Sequence, residues 1–397
     1  MSTVKNSARD PNQGTALKFV ILMGVVSLFA DATYEGARSI AGPFLSILGA
    51  SATVVGIVAG FGELVGYGLR SLFGYLSDKT GKYWAITIFG YAVNLLAVPL
   101  LALAGRWEIA AFFMVTERLG KAVRTPARDA MLSHAASRIG CGKGFGLHEA
   151  LDQVGAMLGP AIVALVLYLR GGYRTGFALL LIPALLSLSI LAVAKRLYPR
   201  PRDFEEAPAR IQGGHFPRAY WLYLIAVGLI AAGFADFPLI AYHFKRASVI
   251  SDDWIPILYV IAMGVDALAA LLFGRLFDRW GMSVLIPAAL ISAGFAPLVF
   301  LGGFRLGILG MALWGVGMGA QESVMRAAVA DFVSADRRGS AYGIFNTGYG
   351  IFWFLGSALM GILYDVSLPF LIAFSITVQL ASIPLFLRIR RVKKTEP

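Results

Sequence analysis

Long apolar runs, separated by short polar or Gly/Pro punctuation, fill the chain almost from end to end. Twelve of them lie at about 17–47, 52–76, 83–104, 107–125, 144–168, 175–195, 218–244, 253–275, 283–302, 305–330, 340–363 and 367–388. A helix needs about 20 mostly apolar residues to cross about 30 Å of hydrocarbon. The runs are of that order, the fourth and tenth being the least apolar. A transmembrane β-barrel would instead alternate over segments of about ten residues. These runs are longer and uniformly apolar, so the pattern predicts an all-α membrane protein with twelve transmembrane helices.

Composition points the same way. Of 397 residues, 58% are hydrophobic and 15% charged, and the mean hydropathy is +0.71. A soluble domain is about 45–50% apolar and about 25% charged. That excludes a soluble enzyme with one apolar anchor, a disordered chain and a disulfide scaffold. Lys plus Arg number 35 against 23 Asp plus Glu, a net +12. Such a surplus can mark a nucleic-acid binder. Here the basic residues fall between apolar runs, as cytoplasmic loop residues do, so a lipid bilayer is the expected partner and nucleic acid is not.

With the N-terminus inside, the outer loops hold only Arg106, Arg170, Arg174, Lys245, Arg246 and Arg305. Lys195 to Arg218 and the tail with Arg388, Arg390, Arg391, Lys393 and Lys394 then fall inside. This asymmetry predicts both termini in the cytoplasm and a multi-pass protein of the inner (cytoplasmic) cell membrane. The single cysteine, Cys141, cannot form an internal disulfide and says nothing about compartment. Met1 to Thr15 is polar, and the run behind it is too long for a signal-peptide core. It reads as an uncleaved cytoplasmic tail.

The chain also repeats itself. Gly74-Tyr-Leu-Ser-Asp78-Lys79-Thr-Gly81 has a counterpart in Gly274-Arg-Leu-Phe-Asp278-Arg-Trp-Gly281, and Phe29-Ala30-Asp31 recurs as Phe234-Ala235-Asp236. Arg128-Asp-Ala and Arg326-Ala-Ala sit near the ends of the fourth and tenth runs. The longest interior polar stretch, Tyr198 to Pro217, lies between the copies. The expected organisation is a tail (1–16), a six-helix bundle (17–195), a cytoplasmic linker (196–217), a second six-helix bundle (218–388) and a basic tail (389–397). Parallel repeats of this kind are a transporter architecture, with the substrate site at the repeat interface near the midplane.

The stretch Gly74 to Tyr83 resembles the loop between helices two and three of the major facilitator superfamily, Gly-x-Leu-x-Asp-Arg-x-Gly-Arg-Arg. Lys79 stands for the family arginine and Tyr83 for the last basic residue. The resemblance extends over essentially the whole chain. It implies two pseudo-symmetric six-helix bundles, transport by alternating access, and a cytoplasmic gate at Gly74, Asp78, Lys79, Gly81 and Asp278, joined by Arg124 and Arg128. Within Glu117-Arg118-Leu-Gly120-Lys121, Arg118 loosely matches the fourth-helix arginine that the family's antiporters tie to proton coupling. Pro126 is expected to end or kink that helix. Arg124, Arg128 and Arg138 also read as positive-inside charges. Gly155-Ala-Met-Leu-Gly159-Pro160 resembles part of the antiporter motif, with Val163 and Ala164 in place of its trailing glycines. The same spacing equally serves close helix packing.

Charges inside apolar runs carry the chemistry, since each costs at least about 2.5–3.5 kcal/mol near the bilayer centre and so faces a cavity or a partner. Asp31, Glu35 and Arg38 fall at i, i+4 and i+7 and share one side of the first helix with Tyr34. Asp31 lies about 21 Å along its run, near the midplane. Two acids one turn apart in a poor solvent are not both ionised unless Arg38 neutralises one, which suits a group that gains and loses protons. A structural triad is the other reading. Asp236 mirrors Asp31, and the two are expected to face each other across a central cavity. Glu63, Arg118, Asp266 and Glu322 are further candidates for that cavity. His148, Glu149 and Asp152 read as a network near the cytoplasmic end of the fifth run rather than a metal site, because neighbouring residues point different ways on a helix.

The chain has no Gly-x-x-x-x-Gly-Lys-Ser/Thr loop, dinucleotide fingerprint or zinc motif, so no cofactor, metal or catalytic group is expected and the protein is not read as an enzyme. Energy must come from gradients. The expected function is secondary active transport, with proton-coupled export of a small organic compound. The alternatives are uptake or facilitated transport of an organic anion paired with Arg38 or Arg118, and a membrane sensor of the same fold that moves nothing. The fold needs no second copy to make a pathway, so a monomer is expected.

Overall fold

The computed structural model describes residues 11–199, 216–329, 332–333 and 338–395. Most of the N-terminal tail and of the linker lies outside them, as does the end of the C-terminal tail, and the side chains of Arg138 and Arg326 are likewise outside the description. The first part of the chain forms α1 (Pro11–Ile47), α2 (Ala52–Gly68), α3 (Arg70–Thr80), α4 (Tyr83–Leu100), α5 (Trp107–Ile139), α6 (Cys141–Tyr168), α7 (Tyr173–Leu179) and α8 (Leu181–Leu197). The second part forms α9 (Arg218–Gly233), α10 (Phe237–Arg246), α11 (Trp254–Trp280), α12 (Leu285–Ala293), α13 (Phe295–Phe300), α14 (Phe304–Val329), α15 (Arg338–Val366) and α16 (Leu368–Thr395). Among the described residues there are helices and turns and no strand.

Nine segments among the described residues are long and apolar enough to cross a membrane. One of them, Trp254–Phe300, is 47 residues long and is interrupted by a turn at Gly281, where φ is +58°. The fourth and tenth runs, now α5 and α14, are not among the nine. The reason is chemical. Helix α5 carries Glu117, Arg118, Lys121, Arg124 and Arg128, while α14 is diluted by five glycines and reaches Gln321 and Glu322. Both pack into the interior, α5 on α4 and α2, α14 on α11. Helix α5 is continuous through Pro126 to Ile139, so of the end or kink expected at the proline the end is absent, and Gly140 (φ +95°) ends the helix instead.

Within the first part α1 packs on α6 and α8; within the second, α9 packs on α16 and α15. The two parts meet along α1/α10, α2/α15 and α6/α11. Small residues set how closely these helices cross. A Cβ on Gly56 of α2 would strike the Ser357 carbonyl and press on Gly361 of α15. A Cβ on Gly155 or Gly159 of α6 would strike the Leu28 or Ala32 carbonyl of α1. The Gly155/Gly159 pair therefore serves helix packing, whatever else it does.

The seventh run breaks at Phe234–Asp236 between α9 and α10. A broken helix frees backbone carbonyls that lipid cannot satisfy. Here Ser375 Oγ and Gln379 Nε2 donate to the Gly233 carbonyl at 2.6 and 3.0 Å, and Trp314 Nε1 donates to that of Ala235 at 2.9 Å. Pro238 near the start of α10 lacks an N–H that would otherwise be orphaned.

Candidate functional site

Helix α1 presents Asp31, Tyr34, Glu35 and Arg38, all buried. Arg38 reaches out of its own bundle. Its Nη2 donates to Asp236 Oδ1 at 2.6 Å and pairs with Glu63 Oε1 of α2 at 3.1 Å. The same Glu63 oxygen meets Arg118 Nη2 of α5 at 3.2 Å, and Arg118 Nε meets Glu117 Oε2 at 3.3 Å. Trp353 Nε1 of α15 donates to Asp236 Oδ2 at 3.0 Å, and Asn94 Nδ2 of α4 donates to Glu117 Oε1 at 2.7 Å. A continuous polar layer thus runs from α15 through α1, α2 and α5 to α4 and crosses between the two parts of the chain. Asp236 enters it because the break before α10 brings that residue to the N-cap position. Each charge in the layer has an opposite charge against it, which is what makes such a layer tolerable away from water.

Two cavities flank the layer. One, of about 510 Å³, is lined by Glu35, Lys121, Tyr259, Met318, Glu322 and Trp353, among others. The other, of about 470 Å³, lies toward Ala59, Val98, Met114 and Pro238. Arg38 and Arg118 line both, so the ion pairs stand between the two spaces. On the first side Tyr259 OH of α11 donates to Glu35 Oε2 at 2.6 Å.

Lys121, one turn beyond Arg118, places Nζ 4.0 Å from the centroid of the Tyr34 ring. Arg124 is 1% exposed, with its guanidinium 4.3 Å from the Tyr91 centroid and 5.7 Å from that of Tyr34. It is a buried group rather than a loop charge. Arg128 bonds Ser27 Oγ at 3.2 Å and Asp129 at 2.9 Å. His148 contacts the same Ser27 at 3.0 Å and Asp152 at 3.3 Å. These groups form a second polar cluster inside the first part of the chain.

Asp31 and Asp236, expected to face each other across a central cavity, do not share either of the two cavities. Asp236 binds Arg38 and Trp353. Asp31 lies two turns away, about 10 Å along α1, against Gly155 of α6, and lines neither of the two cavities described above. Sequence equivalence between repeats gives matching depth, not matching rotation, and α10 restarts its helix just beyond Asp236. Asp266 is buried and accepts from Gln153 Nε2 of α6 at 3.4 Å, linking α6 to α11. Glu322 is exposed in the wall of the larger cavity. At the end of α3, Gly81 (φ +66°) terminates the helix, and exposed Asp78 accepts from Tyr83 OH at 2.8 Å. Tyr83 thus supplies a hydroxyl where the family loop has a basic residue. Lys79 Nζ lies 5.7 Å from the Tyr75 centroid, Gly74 is packed near Pro126, and Asp278 is exposed on the last turn of α11.

Sequence reasoning did not single out Glu117, Lys121, Tyr259 or Asp365 for a role. Asp365 accepts from Thr53 N at 2.8 Å and Thr53 Oγ1 at 2.7 Å, 312 residues away. Nothing local in the sequence marks such a partner.

The family model for the Major Facilitator Superfamily matches residues 22–244 and again 219–397. The chain belongs to the major facilitator superfamily. An uncharacterized protein of Mycobacterium tuberculosis is 41% identical over 383 residues, 95% of this chain and 94% of that one. An uncharacterized MFS-type transporter of Methanocaldococcus jannaschii is 28% identical over 369 residues, 90% and 91% of the two chains. The crystal structure of the nucleoside transporter NupG superposes with a TM-score of 0.70 at 15% identity, over 95% of this chain and 99% of that one. Membership of this superfamily makes the protein a multi-pass membrane transporter of the all-helical superfamily fold, with a small-molecule substrate, and not an enzyme.

Proposed function

We propose that the chain is a proton-coupled secondary transporter that exports a small organic compound by rocking two six-helix bundles, 17–195 and 218–388, about the cavity between them. Twelve spans follow when α5 and α14 are added to the nine apolar segments and Trp254–Phe300 is divided at Gly281. An even number puts both termini on the basic, cytoplasmic side of the cell membrane. The carrying observation is that Glu35 of the first bundle and Glu322 of the second line one cavity, beside an ion-pair layer that ties the bundles together. A carboxyl in that position binds a proton or releases it according to which side the cavity faces. Tyr34, Glu63, Arg118 and Asp236 line one or other of the two cavities, and Asp31 and Asp266, buried outside both, join them as coupling residues. The Gly74–Gly81 end of α3 with Asp78 and Lys79, together with Asp278, Arg124 and Arg128, serves the cytoplasmic gate. The protein works as a monomer.

Reconstitution into liposomes tests this. A compound found by thermal stabilisation of the purified protein should drive proton movement in the wild type and fail to do so in Glu35→Gln with Asp31→Asn. Undiminished proton flux in that double variant would remove the coupling assignment.

A further inference from the structure

The charges of the larger cavity divide unevenly between the bundles. Its four cations, Arg38, Arg70, Arg118 and Lys121, all come from α1, α3 and α5. The facing wall from α11, α14 and α15 is aromatic and thioether, Tyr259, Met263, Met318 and Trp353, with Glu322 as its carboxylate. The arginines are engaged. Arg38 serves Asp236 and Glu63, Arg118 serves Glu63 and Glu117, and Arg70 lies 4.4 Å from the Tyr67 centroid with Nε on the Gly66 carbonyl.

Lys121 differs. Its ammonium rests on the Tyr34 ring, and among the described residues no carboxylate oxygen comes within 4.0 Å of it. Two acids act on it: Glu35 is already bonded by Tyr259, and Asp31 stands, like Glu35, beyond 4.0 Å. A cation kept in the membrane interior is costly and is retained where something pairs with it.

We infer that the substrate is a small organic anion with an aromatic or otherwise apolar body, its anionic group paired with Lys121 Nζ and its body lying on the Tyr259/Met263/Trp353 wall. This rests on the carrier reading above and names the substrate class of the same cavity. It replaces Arg38 and Arg118 as the anion's partner, because both are occupied. A carboxylate, a phosphate and a sulfonate share the chemistry Lys121 requires, and the probes separate them.

The test uses the full chain in detergent and follows its melting temperature with phenylacetate, phenyl phosphate, phenylmethanesulfonate, 2-phenylethanol and 2-phenylethylamine. At least one anion should stabilise the protein, and the alcohol and amine should not. Lys121→Gln should weaken that anion about 10- to 100-fold, the range expected for one charge-assisted contact. Lys121→Arg should keep the response, which guards against a glutamine variant that fails to fold. Lys82→Gln, at an exposed helix end, should leave it unchanged. Stabilisation by the amine rather than the anions, no response to any probe, or an unaltered anion affinity in Lys121→Gln overturns the assignment. Binding is read without transport, so the two claims fail separately. Anion binding without proton-linked flux would sink the carrier reading alone, and proton-linked flux of an amine would sink the anion alone.

Discussion

Asp365 sits at the end of α15, in the second bundle, yet caps the first turn of α2 in the first. It accepts from Thr53 N at 2.8 Å, Thr53 Oγ1 at 2.7 Å and, at 3.4 Å, Ala52 N. An acid at a helix N-terminus contributes about 0.5–2 kcal/mol, and an exposed one belongs toward the lower part of that range. In the alternating-access mechanism proposed above, the contribution exists only while the two parts are closed at this end, so it adds directly to the closed state. Removing it in Asp365→Ala should cost about 1 kcal/mol and shift the closed-to-open ratio about fivefold. Ser51 Oγ, which accepts from Val54 N within the same bundle, stays in place in both states and does not compensate. The assay replaces Cys141 by serine and places a cysteine at Ala59, which lines the cavity on this side of the ion-pair layer. Its reaction rate with a membrane-impermeant thiol reagent reports opening. The rate should rise about fivefold in Asp365→Ala and less in Asp365→Asn, with the difference shrinking at high salt. An unchanged rate in Asp365→Ala would refute the idea that this cap is coupled to closure.

Two further outcomes follow from the interior. Glu63→Gln removes the negative charge that Arg38 and Arg118 share; breaking such a buried pair costs about 3–5 kcal/mol, seen as a lower melting temperature that a second change, Arg118→Gln, partly restores. Gly56→Val drives a side chain into the Ser357 carbonyl, so α2 and α15 must separate, and the Ala59→Cys rate should rise more than in Asp365→Ala.

Much of the fold was legible because the membrane imposes it. Apolar runs gave the helices, and the loop at Gly74 to Tyr83 gave the family, which the family model matches. The least apolar runs were the fourth and tenth for the same reason that α5 and α14 stand apart, since their polar and small residues face other helices. The cavity was legible in part. Glu35, Arg38, Glu63, Arg118, Asp236 and Glu322 were visible as charges out of place, and all six line at least one of the two cavities. Their partners were not visible. Arg38 meets Asp236 across 198 residues and Glu35 meets Tyr259 across 224, and helix rotation decides such meetings without leaving a local pattern. Arg124 looked like a loop charge for the same reason. Only the packing of α4 and α1 shows that its guanidinium rests on Tyr91 and Tyr34.

The interruption at Phe234–Asp236 divides one membrane crossing into two rods of different allegiance. Rod α9 is anchored to α16 through the Gly233 carbonyl, held by Ser375 and Gln379. Rod α10 leans on α1 of the opposite bundle. Asp236 sits in that joint and holds Arg38 of α1, so a displacement of α1 relative to α9 is transduced at once into a separation of charge.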